Sequence, residues 1–278
     1  MPIEEIVDHL GHVRRMGHIE LTSEHLMMRA SRQSFQSYLE SNGSGLIPRD
    51  KWKPVNRRKE LDTKFIVDQK SCSGCSGWSA NHLLMRLRVM RGMTFQRLSG
   101  AFTYSQINGG HDNGSVIVQA GKSLEDDGTC LESQFNFPHI FDKDVTEEMR
   151  ETAQRFRLLN MLTCDTFDEA GTAIQMGFLV QFPLQVGSNF EKFTNGFIGV
   201  AKGYGNHSVG TDGMDFINNK WGLDMPNTWG PNWGPFKNGR AYVEEAAFAG
   251  QGGNDDSYVL IDAAYDPLDP NLPPVPVE

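Results

Sequence analysis

Three features are scarce or missing in this sequence: an excess of positive charge, long apolar runs and cysteine. Lysine and arginine number 26 against 35 aspartates and glutamates, which gives a formal net charge of −9. This acidic balance offers no basic surface to nucleic acid or to an anionic membrane. No stretch approaches the roughly 20 consecutive apolar residues of a membrane-spanning helix. We therefore expect no nucleic acid and no membrane among the partners.

Four cysteines in 278 residues are too few for the disulfide-dense scaffold of a small secreted protein. The N-terminus reads Met-Pro-Ile-Glu-Glu-Ile-Val-Asp, which lacks the basic and then apolar pattern of a signal peptide. We therefore expect a cytoplasmic protein. The length allows one large or two small hydrophobic cores.

Residues 1–45 are predicted to form a helical arm. Its first part carries apolar residues at helical spacing, namely Ile3, Ile6, Val7, Leu10 and Val13. Thr22 or Ser23 could cap a second helix that runs to about Leu39, and the Ser-Asn-Gly-Ser-Gly sequence of residues 41–45 would end it. Two interpretations stay open: helices packed on the main domain, or a pro-segment or docking arm through which a partner protein could bind.

The rest of the chain changes from helical to strand-like patterns beyond its middle. A long apolar helix is predicted from Ser76 to about Met93, and a short one around 115–121. Short β-type runs bounded by glycine and asparagine follow, at 178–182, 197–200, 241–243 and 258–261. A helix-rich half before a strand-rich half predicts an α+β domain over residues 46–266, with a proline-rich tail at 267–278.

The residues with the clearest chemistry surround Cys75. The sequence predicts that Cys75 begins a helix, where unpaired backbone N–H groups and the helix dipole would stabilise a thiolate and lower the pKa of the thiol. Gln69 lies six residues earlier, close enough for its amide to return towards the same sulfur. Together with the backbone N–H of Cys75, it could form a two-donor oxyanion hole for acyl transfer.

A second group lies at the start of a strand-like segment, at His207. A cysteine nucleophile needs a general base, and that base needs a third group to fix its ring. Asn227 follows twenty residues later, with Trp229 and Trp233 beside it. An asparagine carbonyl can orient an imidazole without adding charge, and the tryptophans can shield that hydrogen bond from water.

These blocks resemble those of the papain-like cysteine peptidases. Residues 69–80 resemble the family's block around the nucleophile, and Asn227-Thr-Trp-Gly resembles its Asn-Ser-Trp-Gly block. Between them, residues 108–110 (Asn-Gly-Gly) resemble the family's Asn-Gly-Gly loop. The blocks stand in the family's order, and the resemblance spans about residues 46–262.

The resemblance implies a papain-like two-lobed fold, with a helical N-terminal lobe, an antiparallel β-rich C-terminal lobe and the active-site cleft between them. It implies hydrolysis of a peptide or protein substrate through a thioester, without a metal or an organic cofactor. Cys75 would be the nucleophile, His207 the general base and then acid, and Asn227 the residue that orients it. The oxyanion donor would be Gln69. The residues implied in substrate binding are Asn108, Gly109, Gly110 and Trp229.

Two departures from the family pattern mark a divergent member. Ser76 follows the nucleophile where the family usually has tryptophan. Ile107 stands where the family has the cysteine that pairs with the position of Cys72. The resemblance therefore implies that this disulfide is absent, which agrees with a reducing compartment. The family's long helical pro-segment is not apparent in residues 1–45.

Two other interpretations compete with an active peptidase. The Cys72-Ser-Gly-Cys75 sequence could be a redox pair or half of a zinc site, although no second cysteine pair supports zinc. A papain-like body without effective catalysis could instead serve as a structural or interaction module. Ser76, the N-terminal arm and the proline-rich tail favour that alternative.

Overall fold

The computed structural model describes residues 4–57, 63–201, 203–249, 256–266 and 268–269. In these ranges no helix has both the length and the apolar character needed to cross a membrane. Apart from residues 268 and 269, the proline-rich tail predicted at 267–278 lies outside the described residues.

The described residues form short helices, short strands and one long helix. The helices are α1 (Ser23–Ala30), α2 (Phe35–Ser41), α3 (Cys75–Met90), α4 (Gly100–Ile107), α5 (Ile117–Asp126), α6 (Glu147–Ala153), α7 (Phe167–Gln175) and α8 (Glu245–Ala249). The strands are β1 (Glu5–Val7), β2 (Val13–Arg15), β3 (Leu158–Thr163), β4 (Leu179–Leu184), β5 (His207–Thr211), β6 (Gly213–Ile217), β7 (Lys220–Pro226), β8 (Arg240–Glu244) and β9 (Tyr258–Ala263).

The strands pair in antiparallel fashion. One sheet has four strands in the order β3-β9-β4-β5, another has the order β6-β7-β8, and β1 and β2 form a separate hairpin. One hydrophobic core surrounds α3, α4 and α5, and a second fills the β-rich lobe. The α+β class and the division into a helical and a β-rich lobe are therefore confirmed.

Helix α3 connects the two lobes, and its residues from Cys75 to Arg88 are all buried. It lies against β5, where Leu83 of the helix faces Gly210 of the strand. A Cβ at Gly210 would lie 2.7 Å from Leu83 Cδ2, so glycine is needed for this close approach. Cys75 at the start of α3 is thereby held beside the start of β5.

The helix predicted at the N-terminus is wrong, because residues 5–15 form the β1–β2 hairpin. Asp8 makes its turn: Oδ1 accepts the backbone N–H groups of Leu10 and His12, both at 2.9 Å. Gly11 has a φ of 84°, which glycine adopts without strain. Aspartate bonded to the backbone two and four residues ahead competes with helix formation, and here it outweighs the helical spacing of the apolar residues.

The second predicted helix of the arm is interrupted. Thr22 caps α1 as predicted, but α1 ends at Ala30. Ser34 then caps a separate α2, accepting the backbone N–H of Ser37 at 3.1 Å. Serine at this position satisfies a first-turn N–H that a continuous helix would have satisfied internally, so two short helices replace one.

Three of the four predicted strands are confirmed, as β4, β8 and β9. Residues 197–200 do not form a strand; Phe197 makes isolated bridges with Thr194 and Tyr242 instead. The helix predicted from Ser76 is confirmed as α3, which begins one residue earlier.

A buried cluster of charges fixes α3 to the β-rich lobe. Asp212, between β5 and β6, accepts two hydrogen bonds of 2.8 Å from Arg240 of β8 and forms a salt bridge of 2.8 Å with Arg86 of α3. Burial disfavours the carboxylate, but Arg240 and Arg86 outweigh burial and hold the pKa of Asp212 well below its usual value. The ionised Asp212 therefore links the two lobes.

We expect the substitution Asp212→Asn to lower the free energy of unfolding by about 3–5 kcal/mol, because buried Arg86 would lose its salt-bridge carboxylate and buried Arg240 would keep only Asp224, at 3.3 Å. Urea unfolding followed by circular dichroism measures this loss. The matched control is Asp262→Asn, whose half-exposed carboxylate pairs with Arg91 at 2.8 Å. That pair is worth less than about 1 kcal/mol. Equal losses in the two variants would contradict the role given to the cluster.

Candidate active site

Cys75 lies at the first position of α3 and is fully buried. Its sulfur accepts the backbone N–H of Ser208 at 3.3 Å. Because Ser208 follows His207 in β5, this hydrogen bond brings the thiol and the imidazole into one site. The close contact of α3 with β5 is what allows it.

His207 contacts Asn227, the residue predicted to orient it. The Nε2 of His207 lies 2.8 Å from Oδ1 of Asn227, which also accepts the backbone N–H of Thr228 at 2.8 Å. Since Oδ1 can only accept, Nε2 carries the proton and Nδ1 has a free lone pair. Nδ1 is buried and has no hydrogen-bond partner among the described residues. The Trp229 ring covers the imidazole, with centroids 5.0 Å apart.

Gln69 is fully buried, and its amide is held by three hydrogen bonds. Its Nε2 donates to the Cys72 carbonyl at 2.8 Å and to the Arg15 carbonyl at 3.1 Å. Its Oε1 accepts the hydroxyl of Thr228, which fixes the amide so that Nε2 faces the cleft. The side chain predicted as an oxyanion donor thus already bonds a backbone carbonyl of the N-terminal region.

Residues 14–19, named here the N-terminal strap, run through the cleft beside Cys75. The backbone N–H of Gly17 lies close enough to the thiol to favour its ionised form, and the Gly17 carbonyl accepts the N–H of Ser115 at 2.7 Å. The N–H of Ile19 donates to Ser115 O at 3.3 Å. A Cβ at Gly17 would lie only 1.7 Å from Ser73 O, so the strap fits here only because this residue is glycine.

Arg14 anchors one end of the strap through three oxygen groups. It donates to Asp8 at 2.8 Å, to Asp68 at 2.8 Å and to the Trp229 carbonyl at 2.7 Å. Burial raises the pKa of Asp68, but Lys70 and then Arg14 reverse that effect and leave the pKa below its usual value. The arginine is thus held by two ionised carboxylates and by the backbone carbonyl of Trp229, the residue whose ring covers His207.

Burial beneath the strap makes both members of the pair neutral. It raises the pKa of Cys75 to about 11, although the N–H groups of Ser208 and Gly17 oppose the shift. It lowers the pKa of His207 to about 4, although Asn227 opposes that shift. The expected lowering of the thiol pKa by the helix start is therefore wrong for the covered site, because loss of water outweighs the helix dipole.

In the Asn-Gly-Gly loop, the side chain of Asn108 bonds to Ile140 and to the loop itself. Asn108 donates from Nδ2 to Ile140 O at 2.6 Å, and its Oδ1 accepts the N–H of Gly110 at 2.9 Å. Gly109 and Gly110 are exposed with positive φ. The backbone bonds to the strap come from Ser115, five residues later. Substrate contact by this loop stays a prediction.

The two departures from the family pattern have structural counterparts. Ser76 Oγ hydrogen-bonds with the hydroxyl of Ser115, so the residue after Cys75 supports the segment that binds the strap. Cys72 is buried and free, and its thiol donates to Gln69 O at 3.0 Å. Burial raises the pKa of the Cys72 thiol well above its usual value, which leaves it an inert buried side chain.

Sequence reasoning missed the residues of the strap and those that receive it. The fold brings residues that are distant in sequence into contact. Gly17 bonds to Ser115, and His18 bonds to Asp256, which lies 238 positions later in the chain. Their residue types are common, and no local spacing connects them. One signal was available: an aspartate followed three residues later by glycine, at Asp8 and Gly11, is typical of a turn.

No protein-family model matches the sequence, and no curated protein matches it. Solved structures do match. Xylellain, a cysteine protease from Xylella fastidiosa, is 16% identical over 88% of this chain and 95% of its own, with a TM-score of 0.64. Bromelain from Ananas comosus is 14% identical over 79% of this chain and 100% of its own, with a TM-score of 0.61.

Procathepsin L 3 from Tenebrio molitor is 16% identical over 95% of this chain and 83% of its own, with a TM-score of 0.61. These similar structures are papain-like cysteine proteases, and the chain therefore has the papain-like fold. The recognition made from the sequence blocks is confirmed at that level, with the low identity of a divergent member.

The depressed pKa of His207 makes covering by the strap sensitive to acid. An uncovered histidine has a pKa of about 6.5, so protonation of His207 opposes covering by the strap. The free energy that neutral His207 contributes to the covered state is complete above pH 6.5 and declines as the pH falls towards 4. When the pH is lowered from 7 to 5, the fraction of molecules with an open strap should increase in the native chain. We expect this increase to be about 20-fold larger in the native chain than in His207→Asn. Hydrogen exchange at the Gly17 amide, corrected for its intrinsic rate, measures the opening.

The ratio between the two chains isolates His207. The carboxyls that hold Arg14 have lowered pKa values and stay ionised in this window. A pH dependence that is the same with and without His207 would contradict the prediction.

Proposed function

We propose that this protein is a cysteine peptidase that hydrolyses peptide bonds through a thioester, with Cys75 as nucleophile and His207 and Asn227 as its partners. The observation that carries the proposal is the contact pattern of the strap. A polypeptide already lies beside Cys75, with the Arg15 carbonyl 3.1 Å from Gln69 Nε2, two backbone hydrogen bonds to Ser115 and the Gly17 N–H close to the Cys75 sulfur. A site that binds backbone in this way is suited to a peptide substrate.

The reaction follows from the donors and acceptors of the site. Nδ1 of His207 takes the thiol proton, and the sulfur attacks the carbonyl carbon of the peptide bond. The oxyanion that forms accepts hydrogen bonds from Gln69 Nε2 and the backbone N–H of Cys75. Collapse of this intermediate expels the amine, which takes the proton from His207, and leaves a thioester. Water, deprotonated by the same imidazole, then releases the acid and restores the thiol.

Asn227 acts through the imidazole. Its Oδ1 accepts the Nε2 proton, so the lone pair of His207 faces the thiol and the ring keeps its orientation when it gains the second proton. The Trp229 ring on the same imidazole limits the access of water to that hydrogen bond.

The strap explains how such a site could be present without being active. The N–H of Gly17 lies close to the Cys75 sulfur, so a donor and not a carbonyl carbon lies against it. The pair beneath the strap is uncharged near neutral pH. We propose that residues 4–19 keep the enzyme latent until they are displaced or removed.

One observation favours the alternative of a non-catalytic interaction module. Both Cys75 and His207 are fully buried, and a site that never opens would serve no chemistry. The two functions differ in what opening produces: the peptidase becomes active, whereas the module only exposes a groove.

We expect Gly17→Ala in the full chain to raise the hydrolysis of an unstructured peptide by at least about tenfold, because a Cβ at this position cannot fit beside Ser73 and must displace the strap. Gly45→Ala is the matched control, since its Cβ would meet open space. Cleavage assays on a labelled casein peptide measure the effect. Failure of Gly17→Ala to cleave any peptide, in protein shown to be folded, would support the module instead.

Cys75→Ala in the Gly17→Ala chain is expected to abolish both cleavage and labelling by an epoxide peptide probe, because the thioester could not form. Cys72→Ala in the same chain should keep at least half of the labelling, since Cys72 is an inert buried thiol. Mass spectrometry of the labelled protein identifies the modified cysteine. An adduct on Cys72, or cleavage without Cys75, would contradict the assigned nucleophile.

A further inference from the structure

The imidazole of His18 is enclosed in a polar pocket beside the active site. Its side chain is 1% exposed. Nδ1 lies 2.7 Å from the Gly205 carbonyl and Nε2 lies 2.8 Å from the Asp256 carboxylate. A neutral imidazole has one N–H, and two acceptors at these distances require both nitrogens to donate. The pocket therefore contains a positively charged side chain.

Asp256 is held in this pocket independently of the strap. Its two oxygens accept the backbone N–H groups of Ile117 at 2.6 Å and Val118 at 3.1 Å, in the first turn of α5. Those two bonds and the positive end of the helix favour an ionised carboxylate. When the strap leaves, a buried negative charge remains where His18 was.

The pocket is suited to a planar cation. The Tyr204 ring stacks on the His18 ring, with centroids 5.8 Å apart and planes 24° apart. An aromatic face over a flat cation adds attraction beyond the ion pair, and guanidinium and imidazolium groups both use it. A neutral apolar side chain in the same place would leave the buried Asp256 carboxylate with its two backbone N–H donors but without an opposite charge.

The pocket lies next to the position at which a bound peptide would meet Cys75. Gly17 lies beside the Cys75 sulfur, and His18 is the next residue of the strap. The backbone of His18 continues the extended path: its N–H donates to Asn206 O at 3.0 Å, and Asn206 precedes His207. A peptide that follows this path puts one side chain into the pocket, separated from the residue at the nucleophile by one step.

We propose that Asp256, the Gly205 carbonyl and Tyr204 form a substrate subsite for a positively charged side chain, and that His18 occupies it while the strap is in place. The substrates are peptides with arginine, or another flat cation, one residue away from the residue at the cleaved bond. This inference rests on the proposed peptidase function and names the substrate class of that site.

The first experiment tests the pocket without any need for activity. In full-length His18→Ala, 20 mM imidazole at pH 6 is expected to raise the melting temperature by about 3 °C, because imidazolium binds the vacated site. Pyrazole, which has the same shape but stays neutral at that pH, should not. The rise should be absent in His18→Ala/Asp256→Asn and in the control His139→Ala, whose histidine is exposed. An equal rise with pyrazole, or one that survives the loss of Asp256, would overturn the proposal.

The second experiment tests the substrate and does not depend on the stability of His18→Ala. Full-length Gly17→Ala is given two internally quenched peptides that differ only in one arginine or norleucine. We expect kcat/KM to be at least about tenfold higher for arginine, with one residue between the arginine and the cleaved bond in mass spectra. Asp256→Asn should reduce the ratio to about one, and Asp262→Asn should keep it.

The outcomes separate the two proposals. If both peptides are cleaved equally well, the cationic subsite is overturned and the peptidase stands. If neither peptide is cleaved and Cys75 takes no epoxide probe, the peptidase fails, and with it the assignment of the pocket to a substrate. The imidazole result then reports only on how His18 is bound.

Discussion

The close contact between α3 and β5 is the constraint on which the rest of the site depends. Leu83 can lie against the strand only because Gly210 has no side chain. That contact sets the distance between the first residue of α3 and the first residues of β5, which are Cys75 and His207. The buried Asp212 cluster fixes the same helix to the same lobe. The close packing of Leu83 on Gly210 and the buried salt bridges of Asp212 therefore both hold Cys75 and His207 in position.

The protonation state of Cys75 and His207 is decided by the exclusion of water and not by the N-terminus of α3. A helix N-terminus stabilises a nearby anion by about 0.3–2 kcal/mol, whereas full burial can shift a pKa by several units. Under the strap, burial therefore dominates and leaves Cys75 as a thiol and His207 as a neutral imidazole. When the strap leaves, the same helix start faces water and its effect on the thiol is no longer opposed. Covering thus controls the charge of the pair as well as access to it.

The parts that sequence could predict are those written in local patterns. The α3 helix, the strands β4, β8 and β9 and the block order of Gln69, Cys75, His207 and Asn227 all follow from short stretches read in sequence. The N-terminal hairpin was missed because the turn at Asp8 depends on side-chain hydrogen bonds that apolar spacing ignores. His18 and Asp256 could not be paired in advance, since their contact exists only after both lobes and the strap have assembled. Local signals identify the chemistry of the cleft, and tertiary contacts identify what lies in it.

In the proposed peptidase, the strap and a substrate compete for the same bonds, and the strap has the advantage of belonging to the chain. A tethered segment acts at an effective concentration in the millimolar range for a short connection. A free peptide that makes the same contacts with Gln69, Ser115 and Asp256 would therefore need a similar concentration to displace it. A carboxylate that binds the cation of a substrate also binds the cation of the strap, so stronger selection of substrate means a more firmly closed site. In the proposed peptidase, access to Cys75 then depends on what loosens the strap, such as a cut in the chain, more than on the supply of substrate.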